Sequence, residues 1–326
     1  MPMAGVAGVK VAPEERGRGV GTAMMARMLT DVADRGYPVS ALYPATAPLY
    51  RSLGWEIAGG KYESVVPARS LAGLIRPDEA VRADERPAGP VRRATPDDGA
   101  AIVEVKSLVH ARMRHCGPNT RDPWELRDWL DDPEHFAYLA EDGFLSYRWA
   151  RGTDELAVQE LIATSAATAR ALWRILASHA TMATTVRACL PPDDPLHRLT
   201  REPDVKLRRT SGWMLRIVDA AVAIGARGFP AGVSVSVMLE LADPVCPANA
   251  GRWRLEVTGG RGSLQRAGDD AAADPVRLGA RGFAALFAGA GTGALRVAGL
   301  ASGGDSASDD GLAAAFCGQA FVIDEW

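Results

Sequence analysis

The chain has 326 residues, is 47% apolar and 24% charged, and carries a net charge of −3; it is too long for one compact core and implies two or three domains. This balance excludes the basic footprint of a nucleic-acid binder or of a protein held on an anionic membrane, and no stretch reaches the roughly 18 uninterrupted apolar residues of a membrane span. No basic leader follows Met1, and Cys116, Cys189, Cys246 and Cys317 are scattered without a C-x-x-C pair, which points to reduced thiols in a cytoplasmic protein.

In chain order, Val6, Val9 and Val11 are β-branched and fit a strand that Pro13 ends. A glycine-rich turn, Gly17, Gly19 and Gly21, opens a helix over Val20–Asp34, and Gly36 stops it. Val39–Tyr43 reads as a strand. Ala47–Leu53 reads as a short helix, with Pro48 in its first turn and Gly54 at its C-terminal cap. Trp55-Glu56-Ile57 and Glu63–Val66 read as two further strands. Residues 71–92, rich in Pro, Arg, Asp and Glu, read as a polar connector.

Thr95-Pro96-Asp97-Asp98 then opens a helix with the spacing of a capping box. A second helix follows around Trp124–Leu130. Phe136–Leu139 and Phe144–Trp149 are strands joined at Glu141-Asp142-Gly143, Leu156–Ala163 is another strand, and Ala166–Ala180 is a helix. The order repeats that of the first segment, but the turn Thr164–Thr168 has neither Gly nor Arg. In the last segment Met214–Val218 is a strand and Asp219–Ala226 a helix; Val233–Leu241 and Trp253–Val257 alternate as strands of a half-buried sheet. Arg277–Ala288 reads as a helix, Leu295–Val297 as a strand, Gly303–Asp310 as a polar loop, Leu312–Phe316 as a short helix and Ala320–Trp326 as a terminal strand.

A glycine-rich turn at a helix start leaves unpaired backbone N–H groups at the positive end of the helix dipole, which suits a phosphate or pyrophosphate. The absence of a Lys before Thr22 excludes a P-loop, and the glycine spacing excludes a dinucleotide fingerprint. Arg16-Gly17-Arg18-Gly19-Val20-Gly21 instead meets R/Q-x-x-G-x-G/A and resembles the pyrophosphate loop of the GCN5-related N-acetyltransferases (GNAT), which use acetyl-CoA. The three segments in this order resemble the Eis family of aminoglycoside N-acetyltransferases. The stretches that carry the resemblance are Val9–Thr22, Tyr37–Leu42, Leu49–Trp55, Trp213–Phe229 and the aromatic C-terminus.

The resemblance implies an α/β (α+β) chain of three parts. An N-terminally incomplete GNAT fold covers 1–70, because that family places a helical region and three strands before the strand at Val6–Val11. After the 71–92 linker come a degenerate GNAT-like domain over 93–210 and a domain like sterol carrier protein over 211–326. Val9, Lys10 and Val11 would hold the pantetheine arm, Gly17, Arg18, Gly19, Val20, Gly21 and Thr22 the pyrophosphate, and Ala45 and Thr46 the thioester. Tyr50 would be the general acid and the α-carboxylate of Trp326 the general base, with Glu325 beside it for a substrate amine. No metal is implied. The expected acceptor is a small-molecule or peptide amine, with neither nucleic acid nor membrane as partner. The family analogy implies a homo-oligomer, a hexamer. The residues alone also fit a non-catalytic protein whose C-terminal domain holds an apolar ligand. Without the family, Tyr50 reads as a core residue, and the five histidines read as ordinary surface or core histidines.

Overall fold

The computed structural model describes residues 1–75, 88–119, 122–268 and 274–323. In chain order its strands and helices are β1 (Met3–Val6), α1 (Val20–Asp34), β2 (Val39–Leu42), α2 (Ala47–Ser52), β3 (Glu56–Pro67), β4 (Arg92–Arg93), α3 (Gly99–Met113), β5 (His115–Cys116), α4 (Pro123–Asp131), β6 (Phe136–Ala140), β7 (Gly143–Trp149), β8 (Glu155–Ala163), α5 (Ala166–Ala177), β9 (Thr185–Cys189), α6 (Leu196–Leu199) and β10 (Lys206–Ile217). There follow α7 (Ala220–Ala226), β11 (Val235–Ala242), β12 (Gly251–Thr258), β13 (Arg261–Arg266), β14 (Val276–Gly279), α8 (Ala280–Phe287), α9 (Thr292–Val297), β15 (Ala301–Gly303), α10 (Ser306–Ala315) and β16 (Gln319–Val322). They form two compact units. The first comprises Met1–Gly59 and Gly212–Ala320, the second Gly60–Ser211 with the described residues from Phe321 on.

In the first unit β1 pairs parallel with β2, and β2 pairs antiparallel with Met214–Ile217 of β10. The apolar face of α1 (Met25, Leu29 and Val32) packs with Leu42, Tyr50, Leu53, Trp55, Met214 and Val218 in one core. The same unit contains a five-stranded sheet ordered β13-β12-β11-β14-β15. Its strands alternate as a half-buried sheet requires: Val237, Leu239 and Leu241 face in on β11, and Trp253, Leu255 and Val257 on β12. Helix α8 buries Phe283, Leu286 and Phe287.

In the second unit the sheet runs β3-β9-β8-β7-β6-β4, parallel between β8 and β9 and antiparallel elsewhere along this path. Tyr147, Leu156, Val158, Val186 and Ala188 form a core with Leu172, Trp173 and Leu176 of α5. A separate core joins Ile102, Val105 and Val109 of α3 to Leu126, Leu139, Phe144 and Ile162. The β8–β9 ladder ends at Val158↔Ala188, although β8 runs on to Ala163.

Several local expectations are corrected. The first strand is Met3–Val6 rather than Val6–Val11, because Gly8 takes a φ of +69° and turns the chain out of the ladder. Glu56–Pro67 is one strand, not two: Gly59 and Gly60 mark close approach rather than a turn. A Cβ on Gly59 would stand 2.5 Å from the Ala320 carbonyl oxygen, and one on Gly60 2.7 Å from Arg209 Nε. The N-terminal part of the helix expected over Arg277–Ala288 is strand β14, with Gly279 as the N-cap of α8. Leu295–Val297 ends helix α9, since three residues, two apolar about an arginine, are too few to distinguish the two periods. Within the polar stretch Gly303–Asp310, α10 starts at Ser306, and its N-cap Asp305 accepts the Ser308 N–H at 2.8 Å. Of the connector, residues 76–87 lie outside the described residues, and Arg92–Arg93 pairs with β6. No helix among the described residues is long and apolar enough to cross a membrane.

Candidate acetyl-CoA site

The glycine-rich turn has the geometry that leaves backbone amides open. Gly17 and Gly19 take φ values of +77° and +78°, and Gly19 is the N-cap of α1 with no side chain capping the helix. The first intrahelical bond closes from Ala23 N to Gly19 O at 3.0 Å, so the N–H groups of Val20, Gly21 and Thr22 have no intrahelical partner. No acidic residue lies in the first turn to compete for them. The turn is exposed, and a Cβ placed on Gly17 or Gly19 would meet nothing within 4 Å, so the space above the amides is open. An anion there gains several N–H bonds and the helix dipole. Arg18 lies over Glu15 in an exposed ion pair, and Arg16 Nε donates to Val11 O at 3.2 Å.

The corresponding turn in the second unit is closed. Ser165 caps α5 by accepting the Thr168 N–H at 3.2 Å. Asp142 accepts the hydroxyls of Thr164 at 3.2 Å and Thr168 at 2.5 Å. The repeat therefore fills its helix terminus with its own side chains, including an acid that would repel a phosphate.

Gly21 ties the turn to the rest of the site. A Cβ on it would lie 3.4 Å from Val11 Cγ2 and 3.7 Å from Leu49 Cδ2. The segment Val9–Val11, the turn and the helix carrying Tyr50 thus meet at this glycine. Val9 and Val11 are partly buried and Lys10 is exposed, and all three lie outside a regular strand. Ala45 and Thr46 are exposed between β2 and α2, with Thr46 the extended N-cap residue of α2.

Tyr50 is buried, with its ring edge-on to Trp55 at 6.0 Å between centroids. Among the described residues its hydroxyl makes no hydrogen bond. Burial raises its pKa above the ordinary phenol value, so it stays protonated at neutral pH. Its helix is braced at the C-terminal end. Arg216 Nε donates to Leu53 O at 2.9 Å. Arg51 donates to Glu56, and Arg281 of α8 reaches the other oxygen of the same carboxylate at 2.6 Å. Burial opposes ionisation of Glu56, but the Ile57 N–H and the two guanidinium groups outweigh it and hold the pKa below the usual value. None of these braces was among the residues singled out from sequence; their signal was a charge set inside an otherwise apolar strand, as in Met214-Leu215-Arg216-Ile217.

At the other end of the chain, Phe321 and Val322 of β16 pair parallel with Gly60 and Lys61 of β3, and Phe321 meets His115 edge-on at 4.8 Å. Glu325 and Trp326, expected in the site, lie outside the described residues. Among the described residues no group of three His, Cys, Asp or Glu side chains is placed to hold a metal, and no disulfide joins the four cysteines.

Residues 1–58 and 117–217 each match a family described as acetyltransferase (GNAT) domain, and residues 219–320 match a sterol carrier protein domain. A solved GCN5-related N-acetyltransferase from Kribbella flavida is 44% identical and superposes with a TM-score of 0.86 over 99% of this chain and 79% of that one. The chain belongs to the GCN5-related N-acetyltransferase family. It is also similar to the N-acetyltransferase Eis of Mycobacterium tuberculosis, at 33% identity over 80% of this chain, and spans 65% of the length of that relative. The Eis1 structure from Mycobacterium abscessus is 26% identical and superposes with a TM-score of 0.73, covering 99% of this chain and 82% of that one. The mixed α/β architecture, two GNAT segments followed by a sterol-carrier segment, is the one the sequence implied.

Proposed function

We propose that this GNAT chain transfers the acetyl group of acetyl-CoA to a primary amine by direct attack. The observation that carries the reading is the uncapped N-terminus of α1 under Gly17 and Gly19, joined through Gly21 to Val11 and to the helix of Tyr50. The open amides suit the pyrophosphate, Val9 to Val11 the pantetheine arm, and Ala45 and Thr46 the thioester. The amine nitrogen attacks the thioester carbon, the C–S bond breaks, and the departing thiolate takes the Tyr50 proton. A phenol held neutral by burial carries the proton that the departing thiolate takes.

The α-carboxylate of Trp326 is the proposed acceptor of the amine proton, with Glu325 attracting the cationic substrate. Polyamines of the aminoglycoside type and Lys side chains are the proposed acceptors, and a homo-oligomer, with a hexamer as the family analogy, is the proposed assembly. The test is titration of the intact chain with acetyl-CoA, followed by thiol release with tobramycin as acceptor. Binding with amine-dependent CoA release supports the reading. Absence of both sinks it.

A further inference from the structure

A cavity of about 550 Å³ opens on the sheet of the second unit, away from any helix terminus. Ala157 of β8 forms its floor. Arg148 of β7 stands opposite Ala157 on one side and Arg187 of β9 on the other. Neighbouring strands lie about 4.8 Å apart, so the two arginine stems rise roughly 10 Å from one another across a single methyl group. A register irregularity between Ser146 and Tyr147 sets this pairing; without it a different residue would face Ala157. Gln159, the extra residue that this irregularity leaves unpaired on β8, also lines the cavity, as does Glu63 of β3. The opposite face, carrying Leu156, Val158 and Val186, is packed core.

Two buried polar atoms here are not paired off. Gln159 Oε1 and Arg187 Nε are buried and have no hydrogen-bond partner among the described residues. A buried donor and a buried acceptor without partners each cost free energy that a ligand would recover. Charge points the same way. Arg187 is bound to Glu155, Arg151 to Glu134 at 3.0 Å, and Glu63 lies 3.9 Å from Arg208. Arg148, exposed at the cavity, has no such partner among the described residues, which leaves one guanidinium uncompensated.

We propose that this face binds a small oxyanion, a carboxylate or a phosphate, held by Arg148 and the Arg187 Nε–H across Ala157, with a polar substituent on the Gln159 amide. Planar guanidinium groups at this spacing favour an oxyanion over a halide, because two oxygens can be engaged at once. The site is distinct from the α1 turn and does not depend on acetyl-CoA.

The test is calorimetric titration of the intact chain with citrate and, separately, with inorganic phosphate, at constant ionic strength set with sodium chloride. Wild type, Arg148→Ala, Arg148→Lys and Gln159→Leu are compared. Expected is binding of one or both probes to wild type. Arg148→Ala should weaken it at least about tenfold, Arg148→Lys by less, and Gln159→Leu, which removes the buried acceptor, should weaken it as well. Citrate alone binding assigns a carboxylate ligand, and phosphate alone a phosphate ligand. No binding to wild type, or equal binding to wild type and Arg148→Ala, overturns the proposal. Because Arg148→Ala leaves the α1 turn intact, loss of probe binding with acetyl-CoA binding retained separates this site from the proposed active site.

Discussion

Arg216 and Asp243 form an ion pair at 2.6 Å with side chains only 1% and 3% exposed. Arg216 also donates to the carbonyls of Leu53 and Ile217, and the Asp243 carboxylate accepts from the N–H groups of Val245 and Cys246 and from Asn249 Nδ2. Both charges are thus desolvated but fully engaged. Replacing Arg216 with Met would leave Asp243 as an unpaired buried charge, at a cost of about 3–5 kcal/mol. Urea denaturation should show that loss. Adding Asp243→Asn, which removes the orphaned charge and keeps the acceptor for Val245 and Cys246, should restore part of it. A single mutant as stable as wild type would show that the pair contributes nothing net.

The Gly19 backbone conformation yields a second expectation. At φ +78° a β-branched residue is strained, so Gly19→Val should lose about 1–2 kcal/mol of stability and also place a side chain over the open amides. Calorimetry should then show acetyl-CoA affinity reduced by far more than the stability change explains. Gly21→Ala should be milder in both respects, because its Cβ meets Val11 at 3.4 Å and its φ is ordinary. Equal acetyl-CoA affinity in wild type and Gly19→Val would remove the turn from the site.

Local punctuation made much of this region legible beforehand. Helix α1 runs from Val20 to Asp34 because Gly19 and Gly36, both at positive φ, bound it. Thr95 and Asp98 form the capping box their spacing announced, and the β6–β7 hairpin turns at Glu141–Asp142. What was not legible depends on partners distant in sequence. Glu56 meets Arg281 across 225 positions, and Asp243 meets Arg216 across 27, so no local pattern announces either brace. Strand β1 ends at Val6, short of Val9 and Val11, because the positive φ of Gly8 overrides the strand preference of the valines. The closed α5 turn was readable in part, since Ser165 is a natural N-cap, but the role of Asp142 required the hairpin to bring it there.

For Tyr50 the expectation separates chemistry from packing. Tyr50→Phe keeps the ring against Trp55 and loses a hydroxyl with no hydrogen bond among the described residues, so stability should hardly change. If the hydroxyl protonates the thiolate, kcat should fall by about 10²–10⁴-fold with KM for acetyl-CoA nearly constant. Burial raises the phenol pKa, so in wild type any loss of rate from its ionisation should appear only above pH of about 10. Unchanged kcat in Tyr50→Phe would return Tyr50 to the core.

Asp194 carries the clearest pH dependence of stability. Its carboxyl is buried beside α6, accepts the Leu196 N–H at 2.8 Å, and is pushed up to about 7, chiefly by desolvation and despite that hydrogen bond. Its folded pKa is raised above the unfolded value, so the folded state holds the proton more tightly. The stabilisation from this group is therefore complete below about pH 4 and is lost as pH rises to about 7, beyond which the buried carboxylate is charged. Asp194→Asn keeps the acceptor oxygen without the charge. The variant should be more stable than wild type at pH 8, by up to about 4 kcal/mol, with the advantage shrinking to near zero at pH 4. Denaturant midpoints at the two pH values measure the difference. An equal effect at both would show that Asp194 does not change protonation on folding.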